Sequence, residues 1–297
     1  MRKMRKVHKR GKSNNSLTVT APAKINLFLE VLGKRPDGYH ELETVMQEID
    51  LADTLTLETT EGGMELTCSE PGVPCDESNL VWKAVRLFQE ETGVRGGVKA
   101  HLVKRIPVAA GLGGGSSDAA AALKGLNILH AKGLSDATLM GMAAQIGSDV
   151  PFFIKGGTAL CRGRGEAVTP LAVRHRFWYV LLYPDIRVST AEVYNNLRID
   201  LTTEKKDANL AYKALLSNSG KRLSLSLFNR LEEVALRLYP ELQGFKNLLE
   251  RNLSDRVMIS GSGSAIFGHC ENKDKGEKVR GKLQEQGVEK TFVVSNL

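Results

Sequence analysis

The sequence contains no hydrophobic run that approaches the roughly 18 residues a membrane-spanning helix requires. The longest candidate, residues 177–183, is short enough to be a buried strand. Only 4 cysteines occur among 297 residues, and none forms a C-x-x-C pair or lies near a histidine at zinc spacing. We therefore expect a soluble, cytoplasmic protein with reduced structural thiols and no membrane partner.

Acidic residues are absent from the first 15 positions, which carry seven positive charges and account for the net charge of +7. The other 34 of the 41 basic residues equal the acidic residues in number. A short run of like charge is usually a solvated tail, and this one lacks the apolar core of a secretion signal. Residues 1–16 are thus predicted to be a disordered basic tail, with a nucleic-acid-binding arm as the alternative.

A glycine-rich segment, residues 107–118, opens into an alanine-rich run that favours a helix. Four glycines from Gly111 to Gly115 permit positive φ angles and a close approach of the backbone to a ligand. Ser116 or Ser117 can cap the helix, whose first amide groups lie at the positive end of its dipole. The segment predicts a phosphate site, although most glycine-rich loops are only turns.

Two better-known phosphate loops are excluded by single residues. A P-loop ends in Gly-Lys-Ser/Thr, whereas Gly115 is followed directly by Ser116. A dinucleotide fingerprint needs a third glycine at the position that Ser116 occupies. The segment is therefore a third kind of loop.

Local signals predict an α+β fold. Alternating apolar residues from Ile25 to Val31 predict a strand, and they put Lys24 and Asn26 on its opposite, polar face. Further short strands are predicted at residues 43–51 and 54–58. A helix that begins after Ser78 or Asn79 is expected to end at Gly93, and Ser135 is expected to start another helix.

The length suits two domains better than one core. The predicted divisions are the basic tail at residues 1–16, an N-terminal domain at 17–165 and a C-terminal domain at 166–297.

Three separated stretches resemble, in the same order, the three motifs of the GHMP small-molecule kinases. They are Pro22-Ala23-Lys24-Ile25-Asn26-Leu27, Gly111-Leu112-Gly113-Gly114-Gly115-Ser116-Ser117-Asp118 and Ser260-Gly261-Ser262-Gly263-Ser264-Ala265. Residues 36–42 and 146–153 are similar to stretches of those members that act on a cytidine-diphosphate-linked methylerythritol. The resemblance runs from about residue 17 to the end of the chain.

The resemblance implies an N-terminal domain like the second domain of ribosomal protein S5 and a ferredoxin-like C-terminal domain, with the site in the cleft between them. It also implies that the γ-phosphate of ATP is transferred, with Mg²⁺, to the 2-hydroxyl of the cytidine-linked alcohol. That reaction belongs to the non-mevalonate route to isopentenyl diphosphate.

The same resemblance assigns roles to individual residues. Asp149 is expected to accept or orient the proton of the attacking hydroxyl, and Lys24 to keep that carboxylate ionised and counter the phosphate charge. Ser116 and Ser117 are the expected hydroxyl ligands of Mg²⁺, and Asp118 could either assist the metal or favour the helix N-terminus. The nucleotide-binding residues are expected to be Pro107, Val108, Ala109, Ala110, Gly111, Leu112, Gly113, Gly114, Gly115, Ser116 and Ser117. The substrate-binding residues are expected to be Asn26, Tyr39, His40, Thr190 and Tyr194, with Tyr39 and Tyr194 stacking on the pyrimidine and His40 bonding its edge.

Two alternatives remain open at this point. The chain could be another GHMP kinase that acts on mevalonate, homoserine or a sugar, although Tyr39 and His40 favour a substrate that carries a base. It could also bind RNA through its basic tail and S5-like fold. The expected partner is the small-molecule, cytidine-diphosphate-linked substrate, and no nucleic acid is expected to bind. The protein is expected to be a monomer or a weak homodimer.

Overall fold

The structure is a computed structural model that describes residues 15–198, 204–253 and 255–297. The predicted basic tail therefore lies outside the described residues except for Asn15 and Ser16. By its internal contacts, the chain divides into two compact units. The first combines the described residues up to Ala23 with Ala52–Ile106 and Gly114–Lys155, and the second combines Lys24–Leu51, Pro107–Gly113 and Gly156–Leu297. The predicted division near residue 165 stays a prediction.

Within the described residues, the first unit joins a small sheet to four helices. Its elements are β1 (Ser16–Lys34), β2 (His40–Thr60), β3 (Met64–Cys68), α1 (Leu80–Thr92), β4 (Gly97–Val103), α2 (Gly114–Leu129), α3 (Asp136–Ile146) and α4 (Val150–Lys155), of which β1 and β2 continue into the second unit. Strand β4 pairs antiparallel with β2 and parallel with β3. Helix α2 packs closely on β2, since a Cβ added at Gly125 would lie 2.6 Å from Leu57 Cδ1.

Local signals in the sequence set the ends of several helices. The Asn79 side chain accepts a hydrogen bond from the Val81 amide at the start of α1, and Gly93 ends this helix with φ of 66°. Ser135 caps α3 in the same way, through the Thr138 amide. These three predictions are confirmed. No helix within the described ranges is both long and apolar enough to cross a bilayer.

The second unit contains the four-stranded sheet. Its further elements are β5 (Thr158–Gly163), β6 (Ala167–Pro170), β7 (Trp178–Leu182), α5 (Thr190–Asn195), α6 (Ala208–Leu216), α7 (Gly220–Ser226), β8 (Phe228–Asn229), α8 (Glu232–Leu238), α9 (Glu241–Leu253), β9 (Val257–Ile259), β10 (Ile266–Cys270), α10 (Lys273–Glu285) and β11 (Thr291–Ser295). Strands in the order β11-β7-β10-β9 pair antiparallel throughout. Helices α7, α9 and α10 contact this sheet, and buried aliphatic side chains such as Val180, Ile266 and Leu249 form its core. The predicted α+β fold of the GHMP kinases is confirmed.

The predicted strand break and the predicted end of the tail are wrong. The short strands predicted at residues 43–51 and 54–58 are one continuous strand, β2, and residue 16 already belongs to β1. On β1, the polar face is buried as well as the apolar face, because every residue from Ala21 to Val31 is buried. Packing covers both faces of β1, so the ammonium group of Lys24 and the amide group of Asn26 lie in the protein interior.

Candidate active site

Lys24 is held in the interior by backbone and side-chain hydrogen bonds within the second unit. Its side chain is only 4% exposed. Its amide donates to Leu112 O at 2.9 Å, and Nζ donates to Asn26 Oδ1 at 2.5 Å and to Gly111 O at 3.0 Å. A buried ammonium thus lies directly against the glycine segment, which the sequence placed 87 residues further along the chain.

The third motif supports the glycine segment. Ser260 Oγ donates to Gly111 O at 3.1 Å, and the Ala265 amide donates to Ala110 O at 3.0 Å. Gly111 has φ of 74°, and a Cβ at this position would lie 2.0 Å from Ser260 O. Only glycine allows this approach. The third motif thus supports the glycine segment through Ser260 and Ala265.

The start of α2 differs from the prediction. The helix begins at Gly114, so Ser116 and Ser117 lie in its first turn and neither is its N-cap. Ser116 is half-buried, whereas Ser117 is buried. Ser117 Oγ and one carboxylate oxygen of Asp118, Oδ1, are buried without a hydrogen-bond partner among the described residues. Buried polar atoms without a hydrogen-bond partner are rare in proteins, and a bound ligand, ion or water molecule commonly satisfies them.

This first turn fits a magnesium ion held mainly by phosphate oxygens. Among the described residues, no group of three or more His, Cys, Asp or Glu side chains could hold a metal ion. Mg²⁺ typically takes one or two protein oxygens and completes its shell with water and phosphate. The hydroxyls of Ser116 and Ser117, with Asp118 nearby, are oxygen donors of the right kind. The residues present therefore fit the predicted metal.

A buried ion triad, Asp53, Lys104 and Asp118, lies at the start of α2 in the first unit. Lys104 Nζ donates to Asp118 Oδ2 at 2.8 Å and forms a shorter contact with Asp53 Oδ2. Asp53 also accepts from the Arg105 and Ile106 amides, at 2.5 and 2.9 Å. Lys104 Nζ would lie 3.2 Å from a Cβ at Gly114, the first residue of α2. The triad thus ties two strands to the start of the helix.

Burial and charge set the ionisation of the ion triad. Burial raises the pKa of Asp118 to about 7, although Lys104 lowers it. Burial lowers the pKa of Lys104, but attraction to Asp118 and Asp53 outweighs this and raises it above its ordinary value. The two carboxyl groups thus stabilise the charged form of Lys104 in the protein interior.

Sequence reasoning missed this triad except for Asp118. A signal was present, since Asp53 shares the apolar, period-two face of β2 with Leu51, Leu55 and Leu57. A carboxylate on such a face needs a buried partner. The identity of that partner depends on β4 pairing with β2, which the sequence alone does not reveal.

Tyr39 and His40, two of the residues predicted to bind substrate, lie in the second unit, on and after a turn. Gly38, with φ of 86°, closes this turn, and the Tyr39 amide donates to Asp37 Oδ1 at 3.1 Å. Tyr39 is 52% exposed, and the Arg164 guanidinium lies 4.8 Å from its ring centroid. One face of the Tyr39 ring is thus occupied by a cation, a contact that the sequence did not predict.

His40 and Tyr194 are brought together by the fold. Their ring centroids are 5.1 Å apart, at an interplanar angle of 32°. Burial, with a smaller effect of the Lys34 charge, lowers the pKa of His40. The imidazole is therefore neutral at pH 7 and offers one donor and one acceptor. Thr190, at the start of the same helix as Tyr194, hydrogen-bonds to Ser262 of the third motif at 2.8 Å between hydroxyl oxygens.

Asp149 lies in the first unit, in the turn before α4, and is half-buried. Its expected proximity to Lys24, which belongs to the second unit, stays a prediction. Among the described residues, the four cysteines form no disulfide.

Comparison with known proteins agrees with the motifs. The sequence matches the family models of the GHMP kinases N terminal domain at residues 79–157 and of the GHMP kinases C terminal domain at residues 208–289. A 4-diphosphocytidyl-2-C-methyl-D-erythritol kinase of Shouchella clausii (strain KSM-K16) is 45% identical over 263 residues, which cover 88% of each chain. One of Brevibacillus brevis (strain 47 / JCM 6285 / NBRC 100599) is 44% identical over 282 residues, covering 95% of this chain and 96% of the relative.

A solved structure agrees over the same extent. The crystal structure of a 4-(cytidine 5'-diphospho)-2C-methyl-D-erythritol kinase superposes with a TM-score of 0.80 at 36% identity, covering 94% of this chain and 98% of that one. Motifs, fold and full-length relatives thus give one answer. The chain belongs to the GHMP kinases, ATP-dependent phosphotransferases, and within them to the 4-diphosphocytidyl-2-C-methyl-D-erythritol kinase family.

Proposed function

We propose that this protein transfers the γ-phosphate of ATP to the 2-hydroxyl of 4-diphosphocytidyl-2-C-methyl-D-erythritol, giving the 2-phosphate and ADP. This step belongs to the non-mevalonate route to isopentenyl diphosphate. Identity of about 45% over 88% of the chain supports the substrate. The structural observation that carries the proposal is the buried Lys24 ammonium, 3.0 Å from the Gly111 carbonyl of the glycine segment.

Phosphoryl transfer needs positioning and charge stabilisation more than covalent chemistry. The transition state spreads negative charge over the γ-phosphate oxygens, and preorganised donors stabilise that charge. In this proposal, Lys24 supplies a fixed cation, since its amide bonds Leu112 O and its ammonium bonds both Asn26 Oδ1 and Gly111 O. Asp149 accepts or orients the proton of the attacking hydroxyl.

Residues 107–117 of the glycine segment would bind the ATP phosphates through their backbone amides and the start of α2. Gly111 and Gly113 have φ of 74° and 69°, which lets successive amides turn toward one anion. Ser116 and Ser117 would hold Mg²⁺, which neutralises phosphate charge when bound. The ion triad fixes the helix start on which these groups depend.

Tyr39, His40 and Tyr194 would recognise the cytosine. A neutral His40 can pair with the base edge, and the face of Tyr39 opposite Arg164 suits a planar ring. Asn26 and Thr190 would lie near the alcohol portion. The expected monomer or weak homodimer and the expected cytoplasmic location are kept as predictions.

The direct test is ADP release, measured in a coupled assay with ATP and each candidate alcohol. We expect turnover of the cytidine-linked substrate and little with mevalonate or homoserine. Preference for mevalonate or homoserine would contradict the proposal. Loss of turnover on removing Mg²⁺, with recovery on adding it back, tests the metal.

Replacement of Asp149 tests the mechanism. Asp149→Asn should lower kcat by about 10²–10⁴-fold, the usual contribution of a positioned acid or base, with the KM for ATP changed only a few-fold. Asp136→Asn is the matched control, because Asp136 is exposed and forms a surface ion pair with Lys155 at 3.1 Å. A near-normal kcat for Asp149→Asn would remove the residue from the mechanism.

A further inference from the structure

A buried chain of hydrogen bonds leads from the backbone of β1 to the Lys24 ammonium. Thr44 Oγ1 donates to Phe28 O at 2.6 Å, and Asn26 Nδ2 donates to Thr44 Oγ1 at 2.9 Å. Asn26 Oδ1 then accepts from Lys24 Nζ at 2.5 Å, and the same nitrogen donates to Gly111 O. All five residues belong to the second unit.

The chain has a fixed direction because Thr44 has a single hydroxyl hydrogen. That hydrogen is used on Phe28 O, so toward Asn26 the Thr44 oxygen can only accept. The amide nitrogen of Asn26 must therefore face Thr44, and its oxygen must face Lys24. A flipped amide would put donor against donor at Lys24 and acceptor against acceptor at Thr44.

Burial makes this orientation costly to lose. Thr44 is 0% exposed, and Asn26 is 1% exposed, so water cannot take over a missing hydrogen bond. An unsatisfied buried donor costs its full desolvation penalty, which exceeds the ordinary value of one hydrogen bond. The orientation of Asn26 thus depends on the Thr44 oxygen.

We propose that Thr44 is a positioning residue for phosphoryl transfer. Through Asn26, its hydroxyl keeps an oxygen against the Lys24 ammonium and so fixes that cation beside the glycine segment. The inference depends on the proposed function, because it assumes that Lys24 acts on the transferred phosphate. Thr44 itself touches no reacting group in this account.

Three variants separate positioning from general stability. Thr44→Val keeps the shape but has no acceptor, and Thr44→Ser keeps the acceptor but loses a methyl group. Thr158→Val is the matched control, since the Thr158 hydroxyl is also buried on this sheet and accepts from an amide, Gln47 Nε2, at 2.9 Å. Gln47 in turn bonds Tyr179 rather than the glycine segment.

We expect Thr44→Val to lower kcat about 10- to 100-fold, with the KM for ATP within about 3-fold of wild type. Thr44→Ser should restore kcat to within about 3-fold of wild type. Thr158→Val should lower the thermal midpoint to a similar extent as Thr44→Val but leave kcat nearly unchanged. If Thr44→Val does not fold, Thr44→Ala takes its place with the same expectation.

Equal kcat values for Thr44→Val and wild type would overturn the inference. It would also be overturned if Thr44→Ser were as slow as Thr44→Val, because the methyl group would then be what matters. If the wild-type protein did not phosphorylate the cytidine-linked substrate, both the proposed function and the role of Thr44 would be contradicted. If the wild type turned over this substrate and Thr44→Val were equally active, only the role of Thr44 would be contradicted.

Discussion

Replacement of Lys104 by methionine should destabilise the protein strongly, although Lys104 lies outside the residues proposed to touch the substrates. Its side chain is only 7% exposed, and it is the cation of the ion triad. Methionine has a similar volume, so the change removes charge with little change in packing. Asp53 is left as a buried carboxylate with two backbone donors and no cation.

The expected loss in the free energy of unfolding is about 3–5 kcal/mol, the usual cost of removing one partner from a buried ion pair. The lower end applies if Asp118, whose pKa is already raised to about 7, takes up a proton. For a chain of this size, this loss corresponds to a drop of roughly 6–10 °C in the thermal midpoint. Urea unfolding followed by far-ultraviolet circular dichroism at pH 7.5 measures the difference.

Two further variants serve as controls for Lys104→Met. Lys99→Met is the matched control, on the strand β4 that ends directly before Lys104. Lys99 is exposed and its pair with Glu65 is 4.0 Å long, so losing this pair should cost less than about 1 kcal/mol. The double variant Lys104→Met/Asp118→Asn should be more stable than Lys104→Met alone, since one buried carboxyl has been neutralised. The reasoning is refuted if Lys104→Met costs no more than Lys99→Met.

Two other positions give independent checks. Gly111→Ala should lower the free energy of unfolding by at least about 2 kcal/mol and lower activity, because the φ of 74° and the Ser260 carbonyl oxygen, 2.0 Å from the added Cβ, exclude alanine. Gly141→Ala is the control: this residue lies in α3 with open space around it, so alanine should leave the stability unchanged or raise it by up to about 1 kcal/mol. Urea midpoints measure both, and equal effects would contradict the close approach. Burial lowers the pKa of His269 below 6.5, and the smaller effect of Asp255 opposes this shift. Because the unfolded chain therefore binds more protons than the folded protein, the free energy of unfolding falls as the pH drops through about 6.5. His269→Gln should therefore lose less stability than wild type between pH 7.5 and 5.5, and an equal loss would exclude His269 from the acid sensitivity.

Local chemistry was enough to predict helix ends and motifs. Asn79, Gly93 and Ser135 act on groups within a few residues, so their roles follow from capping and from the freedom of glycine at positive φ. The glycine segment could be assigned to an anion for the same reason, and the order of the three motifs indicated the family. Even there, the helix began at Gly114 rather than after the serines, because first-turn geometry depends on what packs beneath it.

The sequence by itself determined the family, the fold class and the residue types of the site. Only the tertiary structure decided that the polar face of β1 is buried, that Lys104 neutralises Asp53, and that Thr44 orients Asn26 toward Lys24. These contacts join residues that are far apart in the chain or lie on different strands. Periodicity reports which face of a strand a residue occupies, but a buried polar group is satisfied by partners that strand pairing brings to it.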